Sequence, residues 1–392
     1  MFSNRLDWEQ PPNAFSRLLQ EKRARGEALI DLTESNPTRV GLEYPAEIIL
    51  APPDPSQALL YAPDPRGLAP TRRAIARHYG HQGARLDPQA LFLTAGTSEA
   101  YSLVFKLLAN PGDEILVPTP GYPLLSYLAA FEGLSACGYP LRCDAAGEWS
   151  IDLEALQARV TPRTRAIILV NPNNPTGSYV QPEELSAIDR LCRRRGLALI
   201  ADEVFCDYAA QSAPADPTRS VLNRTRALTF VLNGFSKMLA LPQFKLSWIV
   251  VGGQPELADA AQARLEILLD FYLSVGTGVQ LAADRLMGIR ETMQQQIGQR
   301  LEANSRFLHE QIARTANCRL LQRQGGWYAV VEIRDRMTDE ARILQLADQE
   351  NTLVHPGYFY DFDQEGFVVV SLLPESATFR TGVERLIGRF GI

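Results

Sequence analysis

Six short apolar runs recur between residues 91 and 253: "LFLTAG" (91–96), "EILVPTP" (114–120), "AIILVNP" (166–172), "LALIADEVF" (197–205), "LTFVLNGFS" (228–236) and "WIVVGG" (248–253). Several are apolar throughout rather than alternating, the pattern of strands buried on both faces. Helix-like stretches fall between them. "SEAYSLVFKLLANPGD" opens on a Ser cap, carries apolar residues at helical spacing and stops at Pro-Gly. "QPEELSAIDRLCRRRG" has Pro in its first turn and closes on Arg residues and Gly, as the helix dipole favours. Strand–helix alternation of this kind predicts an α/β fold, a mostly parallel sheet sandwiched by helices.

The texture changes near residue 279. "QLAADRLMGIRETMQQQIGQRLEANSRFLHEQIAR" reads as one long helix with a bend near Gly288, and shorter mixed segments follow to Ile392. With 392 residues, 46% of them hydrophobic, the chain is too long for one ordinary core and has ample material for two. The expected division is an irregular N-terminal segment, 1–44, packing on a smaller α+β domain, 279–392, with a large domain, 45–278, between them in sequence. Net charge is −6, and the local triplet in "CRRRG" is read as a solvated helix end, so nucleic acid is not an expected partner. Five cysteines without a CxxC spacing argue against a disulfide framework and a zinc site. "MFSNRLDWEQPP" lacks the apolar core of a signal peptide, and no apolar run has the length of a membrane span. A reducing, cytoplasmic setting is the default expectation.

Open parallel sheets gather ligands at the carboxyl ends of their strands. After the first run comes Ala95-Gly96-Thr97-Ser98-Glu99, whose free N–H groups at a helix start form an anion site. After the second comes "PTPGYP" with Tyr122; after the third, "NPNNPTG", Asn171 to Gly177. Asp202-Glu203 follows the fourth, and "NGFSK", ending in Lys237, follows the fifth. Five strand ends thus offer an anion cradle, an aromatic ring, an amide, a carboxylate and a lysine. Each has a plain structural reading as well: a helix cap, a packing ring, a tight loop, a solvated strand end.

"NPNNPTG", then "ADE", then "SK", in this order and spacing, resembles the class I/II aminotransferases, the fold-type I family of pyridoxal-phosphate (PLP) enzymes. The resemblance runs from "LYAPDPRG" to "HPGYFYDF". It implies that Lys237 forms a Schiff base with PLP and, once freed, carries a proton between the substrate Cα and the cofactor C4′. It further implies that Asp202 pairs with the pyridine nitrogen, where low dielectric strengthens the pair, that Asn174 donates to the phenolic oxygen, and that Tyr122 stacks on the ring. Gly96, Thr97, Ser98, Ser236 and Lys245 would hold the phosphate. A tyrosine in the position of Tyr61 reaches the phosphate of the neighbouring subunit in the family, which implies a homodimer with shared sites. Thr277, in "GTG", is open between a contact to that phosphate and a turn residue.

The sequence departs from the family pattern at four positions. Phe205 stands where the family has a tyrosine that bonds the phenolic oxygen, leaving Asn174 or Tyr208 to compensate. Lys245 replaces a phosphate-binding arginine, keeping the charge without the bidentate fork. Gly234 replaces a hydroxyl residue three positions before the lysine. Val369, in "FVVVSLLPES", stands where the family arginine binds the substrate carboxylate. A buried carboxylate with no cation is expensive, so another arginine is expected: Arg39, Arg323 or Arg380. Arg39 is preferred because it follows "TESNPT", a pocket segment in the family that also contains Asn36. Trp327 and Tyr328, in "GGWY", and Tyr358 and Tyr360 are pocket walls or core.

The resulting expectation is a transaminase that moves an amino group from an amino acid to a 2-oxo acid. A C–S lyase or decarboxylase of the same fold needs the same lysine and aspartate, so the core alone does not separate them. A non-catalytic sensor of the PLP fold is the remaining alternative.

Overall fold

The computed structural model describes residues 1–8, 11–81, 84–211 and 219–391. Its large sheet consists of β1 (Leu91–Thr94), β2 (Glu114–Thr119), β3 (Ser135–Cys143), β4 (Trp149–Ile151), β5 (Thr164–Val170), β6 (Ala198–Asp202), β7 (Thr229–Gly234) and β8 (Ser247–Gly252). Their spatial order is β1-β8-β7-β6-β5-β2-β3-β4. The centre, β7-β6-β5-β2-β3, is parallel, while β8 and β4 run antiparallel to their neighbours. Because β1 pairs antiparallel with β8, it points the same way as the parallel strands. The carboxyl ends of β1, β2, β5, β6 and β7 therefore share one edge.

The apolar runs are continuous because successive residues serve opposite faces. Leu199 and Ala201 enter one hydrophobic cluster, and Ile200 between them enters the other. On β7 Val231 faces the first cluster, and Phe230 and Leu232 face the second. The second face is covered by helices Thr97–Leu108, Leu124–Phe131 and Pro255–Asp270 through Tyr101, Leu125 and Leu265. The first is covered by helices Ala69–His81, Pro182–Arg195 and Thr277–Met287, and its cluster continues into the small sheet. Helix 182–195 has the expected ends: Pro at its start, a Gln181–Glu184 capping box, and Gly196 in the left-handed conformation.

The small sheet is antiparallel, in the order β9 (Cys318–Leu320), β10 (Tyr328–Ile333), β12 (Phe367–Ser371), β11 (His355–Pro356). The stretch expected as one bent helix is two, Thr277–Met287 and Arg290–Ile312, interrupted at Gly288 and Ile289. Ile30–Asp31 pairs in parallel with Thr352–Leu353. Lys22 Nζ donates to Asp348 O at 2.9 Å and to Asn351 Oδ1 at 2.8 Å. Leu32 is fully buried beside Gly382, where an added Cβ would meet its Cδ2 at 2.7 Å. These contacts seat residues 22–32 on the C-terminal part of the chain. Among the described residues no helix is long and apolar enough to cross a membrane.

Candidate active site

A cavity of about 210 Å³ opens at the shared strand edge and is lined by Thr97, Tyr122, Asn174, Asp202, Ser236 and Lys237, with Ser35, Phe205 and Tyr328 closing it. Each side chain is delivered by the turn that ends its strand. The "NPNNPTG" turn is pinned by Asn171 N–H to Asp202 O at 2.8 Å, and Asn173 Nδ2 donates to Pro120 O at 3.1 Å. Gly177 ends this turn at φ 72°. A Cβ there would lie 2.5 Å from Gly325 O, so glycine is required. Gly325 N–H donates to Gly177 O at 2.9 Å, and this contact carries the neighbouring Trp327 and Tyr328 to the cavity wall. Gly121 N–H donates to Tyr360 O at 2.9 Å, fixing the turn that presents Tyr122.

Lys237 is buried among aromatic faces. Its Nζ lies 5.0 Å from the Trp327 ring centroid and 5.5 Å from that of Phe205. Burial lowers its pKa to about 8, opposed by the Asp202 carboxylate. Asp202 is pushed up to about 6 by burial, against the N–H of Val204, the Tyr101 hydroxyl and the Lys237 charge. Val204 N–H reaches Oδ1 at 3.1 Å, and Tyr101 OH reaches Oδ2 at 3.0 Å. Burial thus brings both groups toward the physiological range, as an acid–base site requires, while their opposite charges limit the shift. Neighbouring Glu203, raised to about 7 by burial, accepts from Val221 N–H and serves the core.

The polar groups left over fit PLP. Asn174 is buried, its Oδ1 has no partner, and no side-chain hydrogen bond within the described residues engages it. Asn171, by contrast, donates to Arg219 O and accepts from Val180 N–H, and Asn173 donates to Pro120 O and Thr176 Oγ1. Thr97 and Ser236 bring hydroxyls to the cavity with no partner among the described residues. Helix 97–108 starts at Gly96 without a side-chain cap, which leaves its first N–H groups available to an anion. Lys245 adopts the left-handed backbone, φ 51°, and its Nζ would lie 3.2 Å from a Cβ at Gly96. An ammonium beside an uncapped helix start and two spare hydroxyls suits a phosphate.

Several other candidates lie elsewhere. Ser98 is exposed and does not line the cavity. Tyr61 is 80% exposed and lies in a shallow depression with Thr277, away from Lys237 of its own chain. Asn36 spends its carboxamide oxygen on Thr38. Arg39 is exposed on the turn Pro37–Arg39, and no side-chain partner engages it among the described residues. Arg323 is held by Gly326 O at 2.9 Å, and Arg380 stacks 5.0 Å from the Phe307 ring. Val369 is fully buried in the small sheet. Tyr208 donates its hydroxyl to Lys237 O, so it does not replace the tyrosine missing at Phe205. Trp327 is fully buried with its Nε1 unpartnered. Sequence reasoning missed Tyr101, which reads as one more apolar helix position.

The sequence profile of aminotransferase class I and II matches residues 28–386. The chain belongs to this family. It is a PLP-dependent aminotransferase of fold type I. It is 28% identical over 358 residues to the glutamate-pyruvate aminotransferase AlaA of Escherichia coli strain K12, covering 88% of this chain and 87% of that one. It is 28% identical over 374 residues to an alanine aminotransferase of Mycobacterium bovis, covering 93% and 86%. An aminotransferase structure from Escherichia coli superposes at TM-score 0.85 with 25% identity, over 100% of this chain and 99% of that one. The alanine aminotransferase of Pyrococcus furiosus gives TM-score 0.87 over 99% of both chains at 22% identity and shows the shared fold.

Proposed function

We propose that the enzyme transfers the amino group of a small neutral amino acid of the alanine class to a 2-oxo acid, with Lys237 as the covalent anchor and proton carrier. The observation that carries this is the buried Lys237 amine, its pKa lowered to about 8, in one cavity with the buried Asp202 carboxylate. PLP, when bound, supplies the electron sink for the charge left as the substrate Cα loses its proton. Asp202 holds the ring nitrogen protonated, and Tyr101 and Val204 hold Asp202 in place. Asn174 would offer its amide to the phenolic oxygen, and Tyr122 would stack on the ring. Gly96, Thr97, Ser236 and Lys245 would receive the phosphate, the helix start of 97–108 contributing its backbone. Lys237 would carry the Cα proton, and the aromatic side chains of Phe205, Trp327 and Tyr328 around it would keep water away.

Lys237 is the one cation lining the cavity among the described residues. The names of the relatives, alanine and glutamate-pyruvate aminotransferase, support alanine and pyruvate as one amino acid and 2-oxo acid pair, and the second name adds glutamate as the other partner. For the substrate carboxylate we assign Arg39, whose unengaged guanidinium follows closely on the cavity residue Ser35. Trp327, its ring centroid 5.0 Å from Lys237 Nζ, packs behind the pocket. Exposed Leu59, Leu60, Tyr61 and Phe271 supply an apolar surface for a homodimer in which Tyr61 reaches the partner's phosphate site. The chain divides in this reading into an N-terminal segment 1–44 packing on the small domain, a large cofactor-binding domain 45–278 and a small domain 279–392. All five cysteines are free, in keeping with a reducing cytoplasmic setting.

The test is a half-reaction. Mixing the PLP form with alanine should convert the cofactor to its amine form with stoichiometric pyruvate, and Lys237→Ala should abolish it. Release of ammonia or carbon dioxide instead would refute transamination. Arg39→Ala should raise KM for alanine at least tenfold and leave cofactor absorbance intact; an unchanged KM would remove Arg39 from the site.

A further inference from the structure

Position 234 is the place where the chain lacks a hydroxyl that the lysine segment would otherwise present to the cofactor phosphate. Gly234 ends β7 and pairs antiparallel with Ser247, the first residue of β8. Directly opposed residues on such a pair point their side chains to the same face. Here the approach is so close that a Cβ built on Gly234 would lie 2.2 Å from Ser247 Oγ and 2.8 Å from Ser247 Cβ. The serine side chain thus occupies the space that a side chain at 234 would need. Both residues line the cavity beside Ser236 and Lys237.

We infer that Ser247 is a ligand of the cofactor phosphate, its hydroxyl delivered from the neighbouring strand into the place left open by Gly234. The inference rests on the cofactor reading given above. Ser247 is only 1% exposed, yet no hydrogen bond engages its hydroxyl among the described residues. Because Ser247 lines the cavity, that hydroxyl is open to a ligand there. A phosphate oxygen at the cavity would satisfy it with a charge-assisted bond. The surroundings match. Lys245, two residues upstream, places its ammonium against Gly96, and Ser236, two residues after Gly234, adds a second unengaged hydroxyl. The hydroxyl and the glycine are therefore reciprocal: only one of the two strand ends has room for a side chain. A serine that merely filled space would be replaceable by alanine without effect on ligand binding.

The experiment titrates the full-length chain, freed of cofactor, with PLP and with pyridoxal, which lacks the phosphate. Ser247→Ala should weaken PLP binding about tenfold, the worth of one charge-assisted hydrogen bond, and leave pyridoxal binding unchanged. Gly234→Ser alone should be worse, since the new side chain collides with Ser247. The double exchange Gly234→Ser with Ser247→Gly should recover PLP affinity to within a few fold of wild type, because the hydroxyl returns from the opposite strand. Equal loss for both vitamers, or no loss for either, would overturn the assignment. Wild-type chain that binds neither vitamer would overturn the cofactor reading itself and this inference with it.

Discussion

Replacing Asp202 by Asn should push the two roles of the site in opposite directions. Lys237 sits near pKa 8 because burial lowers it from 10.5 while the Asp202 carboxylate raises it. At about pH 7 this leaves roughly a tenth of the amine neutral, against about three in ten thousand for an unperturbed lysine. Asn keeps the shape of Asp and removes the charge. A partner charge in a buried site is worth about 1 pKa unit or more, so the Lys237 midpoint should fall to about 7 or below. The neutral fraction near pH 7 then rises to about a half, roughly fivefold. The assay is the second-order rate of imine formation between the cofactor-free chain and pyridoxal, followed by absorbance across pH 5 to 10. Asp202→Asn should move the midpoint of that profile down by about one unit. Turnover should meanwhile drop at least a hundredfold, because the group that keeps the ring nitrogen protonated is gone. A midpoint that stays in place, or moves up, would show that the two side chains do not share an electrostatic environment. Turnover within a few fold of wild type would refute the pyridinium role.

Tyr101→Phe removes the donor to Asp202 Oδ2; it should cost about 1–3 kcal/mol of unfolding free energy in a denaturant titration, and an unchanged midpoint would mean that the bond contributes nothing. Gly382→Ala drives a methyl group to 2.7 Å from Leu32 Cδ2 and should make the segment before Leu32 the first site of limited proteolysis; a digestion pattern like wild type would show that this seat yields without cost. Tyr61→Phe should weaken PLP binding in the dimer and leave pyridoxal binding alone, whereas equal effects on both would exclude a phosphate contact.

The central sheet was legible because its strands are buried on both faces. Ile200 and Ala201 face different clusters, and both clusters demand apolar residues. The outer strand β3 and the edge strand β4 beyond it were not read, since "SACGYPLRC" is partly exposed along most of its length and carries Gly and Pro. The break between the helices ending at Met287 and starting at Arg290 was read as a bend: Gly288 signals weakness in a helix, and only packing decides whether the axis continues. Lys237, Asp202, Asn174 and Tyr122 were visible together because strand ends are ordered in sequence as they are in space along one edge. Tyr101 and Ser247 were not. The first reaches the site from the interior of a helix, and the second from an antiparallel strand whose pairing no local pattern reveals. Asn36 illustrates the opposite case, a polar residue that looks available in sequence and is spent on its own turn.

The most direct measurement is reduction of the PLP-loaded enzyme with borohydride followed by peptide mapping. A single modified peptide is expected, carrying the reduced cofactor on Lys237. Attachment to Lys245 or another lysine, or the absence of any adduct, would contradict the anchoring on which the mechanism stands.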